Sequence, residues 1–275
     1  MDLEVAHLFI YPIKSLAGIE VDTTFVEEAG FRYDRSWMII DEKGRTLTQR
    51  DIPEMALLQP SLEDETMTIS HKQGKKEPFS FNIQDGFGNL IEVAVWNSPC
   101  MAREVSPTAS KAMGDMLGIT CKLVYKPTMP VRPVDPEYAV SPRDQVGFAD
   151  GYPILAFDLS SLEDLNSRLE NPVPMSRFRP NIVFKGGHPY AEDELKEMMI
   201  GWLTFHGVKN CSRCKVISID QETAESDMEA MKMLNSYRQL DARIKFGRYL
   251  IPGNIGVLNV GDKVLIKETT DPIAF

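Results

Sequence analysis

Two cysteines three residues apart, Cys211 and Cys214, lie in the stretch Asn210–Lys215, with Arg213 between them and Lys209 and Lys215 alongside. Cationic neighbours favour a thiolate, the form that acts as a soft metal ligand or as a nucleophile. Four readings of the pair stay open. A structural zinc site wants four ligands, usually two such pairs, and the other cysteines, Cys100 and Cys121, are isolated. A dithiol redox pair usually sits between a strand and a helix, whereas Lys215–Ile219 reads as a strand. Both residues could be small buried apolar groups, or one of them a reactive or metal-bound thiolate.

Cations at strand ends form a second group. Lys14 and Ser15 follow the apolar run Val5–Tyr11, Arg35 precedes the run starting at Ser36, and Arg177 and Arg179 precede a strand starting at Asn181. Arginine is an anion fork and lysine a point charge for phosphate. Three such positions point to one shared anionic ligand. The four histidines show no metal-binding spacing, and no Gly-rich phosphate loop or G-x-S-x-G elbow is present.

These groups must be positioned by an ordinary globular chain: 275 residues, 43% apolar and 25% charged, enough for one large or two small domains. A net charge of −10 argues against general nucleic-acid binding. No run approaches the roughly 20 apolar residues of a membrane span, and Met1-Asp2-Leu3-Glu4 is not the start of a signal peptide. Four cysteines without a framework fit a reducing compartment, so a cytoplasmic location without membrane is expected.

Short alternating or apolar runs suggest strands at Val5–Tyr11, Ile19–Val26, Ser36–Asp41, Met67–His71, Phe79–Ile83, Leu90–Val95, Asn181–Phe184, Leu203–His206 and Lys215–Ile219. Such spacing suggests a barrel or sandwich. Helices are expected at Ser106–Leu117, with Ser106 as cap and Gly118 as stop, at Ser160–Leu169, capped by Ser160 or Ser161, and at Met228–Arg238. Residues 255–262 followed by 263–266 read as a closing β-hairpin. The proline-rich stretch Lys126–Asp144 reads as a long loop, with a domain boundary near it that separates residues 1–125 from 126–275.

Several motifs together resemble a known family. Tyr11-Pro12-Ile13-Lys14-Ser15, Gly30-Phe31-Arg32-Tyr33-Asp34-Arg35-Ser36-Trp37-Met38 and Leu47-Thr48-Gln49-Arg50 resemble the MOSC N-terminal β-barrel domain. Residues 177–183, Cys211-Ser212-Arg213-Cys214, Ser236-Tyr237-Arg238 and Phe246-Gly247-Arg248-Tyr249 resemble the MOSC domain of the same proteins, the YcbX-like and mitochondrial amidoxime-reducing component family. The resemblance implies a mainly β (α+β) fold, with two barrel-like domains and a few peripheral helices. It also implies a molybdenum cofactor, a pterin dithiolene carrying a phosphate, with Cys214 as the catalytic metal ligand and Cys211 as its neighbour. By motif, Lys14, Ser15, Arg35, Arg179, Asn181, Ser212, Arg213 and Tyr249 contact the cofactor.

The implied activity is oxygen removal from N-hydroxylated compounds, with electrons from a separate donor protein of ferredoxin, flavoprotein or cytochrome type. No C-x₄-C-x₂-C spacing for a fused iron–sulfur cluster is present. Asp150 and Tyr249 are candidate general acids. Rival readings are a cofactor carrier or sulfur-delivery module without turnover, and a metal-free redox-sensing CxxC protein.

Overall fold

The computed structural model describes residues 1–275 apart from Phe87, Pro272 and Ala274. The fold is mainly β, as expected, with barrel-like sheets and, among the described residues, three α-helices. The largest sheet runs in the order Val264–Thr269, Leu195–Ile200, Leu203–Ser212, Arg243–Pro252, Ile154–Asp158, Ile182–Lys185, Glu4–Ile10 and Ile19–Val21, and Gln239–Leu240 also pairs with Arg243–Pro252. Every named pairing is antiparallel except that of Ile154–Asp158 with Ile182–Lys185. The first two strands of the chain therefore close a sheet built otherwise from its second half.

A four-stranded sheet joins Trp37–Ile40, Lys122–Tyr125, Ser98–Glu104 and Leu90–Val95. Beside it lies the three-stranded sheet Leu58–Glu63, Thr66–His71 and Phe79–Asn82. Their shared core includes Trp37, Met55, Ile69 and Met113, all buried. Helix Pro107–Leu117 covers it through Ala109, Met113 and Met116. Its ends follow the sequence signals: Ser106 accepts the Ala109 N–H, proline opens the first turn, and Gly118 stops the helix at φ 69°.

Three expectations are corrected. Lys215–Ser218 is a 3₁₀ turn, not a strand. The Ser218 hydroxyl donates to the Lys215 carbonyl at 2.6 Å, a local bond that competes with a ladder partner. The chain so leaves the sheet directly after Ser212, which puts Cys214 on a turn. The closing hairpin does not form either: Gly256–Asn259 pairs with Thr23–Glu27, and Val264–Thr269 with Leu195–Ile200. Leu258 and Val264 thereby enter the core of the large sheet, a burial that a local two-stranded ribbon could not supply. Helix Leu159–Asn166 is capped by Asp158, whose carboxylate takes the Ser160 N–H at 2.9 Å.

Beneath the large sheet lies a buried polar group with a pH-dependent cost. Glu192 is 1% exposed; its Oε2 accepts from the Ser161 hydroxyl, while Oε1 has no partner. Burial, with Asp193 adding repulsion, raises its pKa from 4.5 to about 8. The folded state thus keeps a proton that the unfolded chain releases. No penalty exists below pH 4.5, and stability falls between there and pH 8 by up to ~1.4 kcal/mol per pH unit. Glu192→Gln is expected to match the parent near pH 4.5 and to exceed it increasingly towards pH 8. Urea unfolding at both pH values checks this, and an equal effect at the two would contradict it.

Candidate functional site

Six segments converge beside the large sheet: residues 11–15, 33–36, 48–50, 147–152, 177–181 and 211–216. Between them is a cavity with about 820 Å³ of empty space, its open mouth included. All nine residues singled out in the sequence line it: Lys14, Ser15, Arg35, Arg179, Asn181, Ser212, Arg213, Cys214 and Tyr249. The sequence grouping of strand-end cations thus becomes one wall in space. Arg177 is the exception; it pairs with Asp220 at 3.1 Å and is not among the lining residues.

The two cysteines differ. Cys211 is buried, belongs to the core that also holds Phe157, Phe178 and Phe246, and forms part of the cavity wall. Its Sγ accepts a hydrogen bond from Arg213 Nη1 at 3.1 Å and lies 3.1 Å from the Tyr249 hydroxyl. Cys214 is partly exposed, faces the cavity, and has no side-chain hydrogen bond among the described residues. A sulfur free of partners at a cavity wall is the one open to a ligand.

The backbone carries strain where the ligand would sit. Ser15, Arg35 and Arg179 are all left-handed, at φ 70°, 44° and 56°. Such conformations cost a non-glycine residue about 1–3 kcal/mol each, and they collect at functional sites. The surroundings hold them there. Ser15 O accepts from Gln49 Nε2 at 2.8 Å. The Arg35 N–H donates to Tyr11 O, and Arg35 O accepts from Phe148 N, both at 2.8 Å. Gly147 permits this close packing, because a Cβ there would stand 3.0 Å from the Arg35 carbonyl.

Asp34 and Asn181 fix the Arg35 fork. Arg35 Nη1 donates to both carboxylate oxygens of Asp34 and to Asn181 Oδ1 at 3.0 Å. Asn181 Oδ1 also accepts from Leu155 N, and its Nδ2 donates to Phe9 O and Asp34 Oδ1. Both donors and both acceptor directions of this amide are spent on protein. Asn181 therefore positions Arg35 rather than offering a free polar atom.

The remaining cations are less satisfied. Arg179 stacks on Tyr11 at 4.3 Å, and its guanidinium has no acceptor among the described residues. Burial, then the charge of Arg35, lowers its pKa to about 10. Arg213 donates to Phe178 O at 2.8 Å, yet its buried Nε has no partner. Lys245 donates to Ser212 Oγ at 2.9 Å. Lys14 is buried and donates to Phe148 O and Asp150. Burial depresses the Lys14 pKa against the pull of Asp150. For Asp150 burial works upward, but Lys14 outweighs it and holds the carboxyl well below its usual range. Tyr249 goes the other way: burial and the Cys211 sulfur push its phenol well above 10.

Sequence reasoning missed the props of this site. Arg132, from the proline-rich loop, donates to the carbonyls of Gly147, Ala149 and Asp150 at 2.9, 2.6 and 3.1 Å, and so shapes the cavity wall. Nothing local marks it; only the fold brings it to residues 147–150. Asp34 had a signal, since a carboxylate beside Arg35 at a strand end is a ready partner for that arginine.

Known proteins are similar to this chain in sequence. The MOSC N-terminal beta barrel domain matches residues 2–120 and the MOSC domain residues 143–265. The mouse "Mitochondrial amidoxime-reducing component 1" is 35% identical over 278 residues, covering 95% of this chain and 82% of the mouse protein. Its human counterpart is 33% identical over 279 residues with the same coverage. The "Molybdenum cofactor sulfurase" of Oryza sativa subsp. japonica is 26% identical over 264 residues, 90% of this chain but 32% of that protein. The chain belongs to the MOSC proteins that carry the N-terminal barrel domain, the family of the amidoxime-reducing components. Its function is related to the molybdenum cofactor.

The residues present fit such a group. The cavity offers one unpartnered thiol for a soft metal. Around it stand Arg179 without an acceptor and Arg213 with an orphaned buried Nε. Lys14, Arg35 and Arg50 also line it, with Lys14 paired to Asp150 and Arg35 to Asp34, so that Arg50, Arg179 and Arg213 are left without a carboxylate partner among the described residues. That cradle is short of an anion, and a phosphate supplies one.

Proposed function

We propose that this chain reduces N-hydroxylated compounds (N-hydroxy bases, amidoximes, hydroxylamines), using a molybdenum cofactor held in the cavity. The observation that carries the reading is the open Cys214 thiol set among five cations in a strained cradle. Cys214 would hold the metal, and Arg179, Arg35, Lys14 and Arg213 the phosphate and pterin, with Ser15 and Ser212 beside them. The bound cofactor supplies the two-electron chemistry that breaks the N–O bond. Overall, R–NH–OH, two electrons and two protons give R–NH₂ and water, with the electrons coming from a separate donor protein.

Of the two candidate acids, Asp150 is held ionised by Lys14, whereas Tyr249 keeps its proton. Of these two, Tyr249 is thus the one that holds a proton at neutral pH. Four free thiols suit work in a reducing compartment such as the cytoplasm, which cell fractionation tests.

Protein from a molybdenum-replete host, reduced with a viologen dye, is expected to contain stoichiometric molybdenum and to convert benzamidoxime to benzamidine. Full metal loading without turnover of any N-hydroxylated compound would sink the proposal. It would favour a carrier or sulfur-delivery role, the reading that the likeness to the sulfurases supports.

A further inference from the structure

Beside the cavity lies a second chamber with about 790 Å³ of empty space, its open mouth included. The two share Lys14, Thr48 and Arg50 as walls. Cys214 lines the first and the next residue, Lys215, lines the second. The chamber therefore opens one residue from the sulfur that would hold the metal.

Its charges do not cancel. Lys14 is spent on Asp150, and Arg45 on Asp41 at 2.7 Å. Asp51 is satisfied by the Thr48 N–H at 3.2 Å and the Thr48 hydroxyl at 2.8 Å. Arg50 and the exposed Lys215 make no ion pair among the described residues; Asp150, already paired with Lys14, is the acid that feels the charge of Arg50. Arg50 is also preset. Its guanidinium lies 3.7 Å from the centre of the Trp96 ring, and its Nε donates to Thr48 Oγ1 at 3.3 Å. Stacking fixes the plane of the fork and leaves both terminal nitrogens for an anion.

Trp96 is the second, independent sign. It is 51% exposed. With Asn97 it forms the two-residue turn between Leu90–Val95 and Ser98–Glu104, at φ 57°. Such turns favour Asn, Asp or Gly. The turn does not call for a large ring; Trp96 instead carries the Arg50 guanidinium on its face, and its side chain helps to hold the Asp150 carboxyl ionised. Its exposed part offers a surface against which a flat ring can stack.

We infer that this chamber is a substrate subsite for the phosphate-bearing tail of a planar N-hydroxylated base, with Arg50 and Lys215 holding the phosphate and Trp96 packing against the ring. The N-hydroxyl group then points past Lys14 and Thr48 into the first cavity. This rests on the reductase reading given above and names the substrate class for it: N-hydroxylated nucleotides in preference to the uncharged nucleosides.

The test uses the cofactor-loaded protein in two arms. Calorimetry compares binding of cytidine monophosphate with cytidine, and kinetics compare N-hydroxycytidine monophosphate with N-hydroxycytidine. The monophosphate is expected to show a Kd and a KM about tenfold lower. Arg50→Gln and Lys215→Gln should each bring that ratio towards one, while Trp96→Leu weakens nucleotide and nucleoside alike. Equal binding of the two ligands in the parent protein, or variants at Arg50 and Lys215 that weaken both equally, overturns the inference. If neither N-hydroxy compound is reduced but the monophosphate still binds more tightly through Arg50 and Lys215, the anion subsite stands and the reductase reading falls.

Discussion

Replacing Cys214 with alanine is expected to abolish N-hydroxy reduction and molybdenum retention together, with little change in the stability of the cofactor-free protein. The thiol makes no side-chain hydrogen bond among the described residues and belongs to no core cluster. Its loss should therefore cost less than ~1 kcal/mol in unfolding. Cys211→Ala should behave in the opposite way. Cys211 is buried in the core that also holds Phe157, Phe178 and Phe246, and its sulfur accepts from Arg213. Removing it leaves a gap and an unpaired arginine nitrogen, a loss of about 1–3 kcal/mol. Metal binding should weaken there but persist. Metal analysis and urea unfolding on both variants separate the two roles. A Cys214→Ala protein with full metal and full turnover, or a Cys211→Ala protein devoid of metal at unchanged stability, would reverse the assignment.

That asymmetry shows what the sequence could and could not say. Spacing and charge marked both cysteines, and motif resemblance chose Cys214, but burial was invisible because flanking residues do not report what packs against a sulfur from strands far along the chain. Strand-end cations were legible because their position follows from local pattern: Lys14 after an apolar run, Arg35 and Arg179 before one. What these residues lean on was not legible. Arg132 reaches the cavity wall only because residues 132 and 146–150 fold against each other. The strand expected at Lys215–Ile219 failed for a related reason. Its apolar residues fill a core beneath a 3₁₀ turn, as buried Ile217 does, and a short apolar run looks alike in both settings. The misplaced closing hairpin had the same origin, since its strands find partners at Thr23–Glu27 and Leu195–Ile200, far away in sequence.

Arg179→Gly and Arg179→Ala are both expected to lose the cofactor, yet to differ in stability in an unusual order. The guanidinium faces the cavity with no acceptor, so an anionic ligand is what would satisfy it. Losing a charge-assisted bond to phosphate weakens retention by about 1.5–3 kcal/mol, roughly 10- to 100-fold. The backbone at this position has φ 56°. At ordinary sites alanine is more stable than glycine, because glycine has more freedom to lose on folding. In the left-handed region the Cβ is penalised by roughly 1–2 kcal/mol, so here the glycine variant should be the more stable of the two. Both variants also remove a cation whose proton affinity is already lowered by burial and by Arg35. Arg179→Lys keeps the charge and the strain but loses the fork, so its metal content should fall between that of the parent and that of alanine. Dialysis of loaded protein followed by metal analysis, with thermal unfolding of the cofactor-free forms, gives both readouts. If the alanine variant proves the more stable, the strain argument fails. If all three variants keep the metal as the parent does, Arg179 does not hold the anion. Strain and empty charge at the same residue are what a binding position requires, because a purely structural arginine would have a partner and a relaxed backbone.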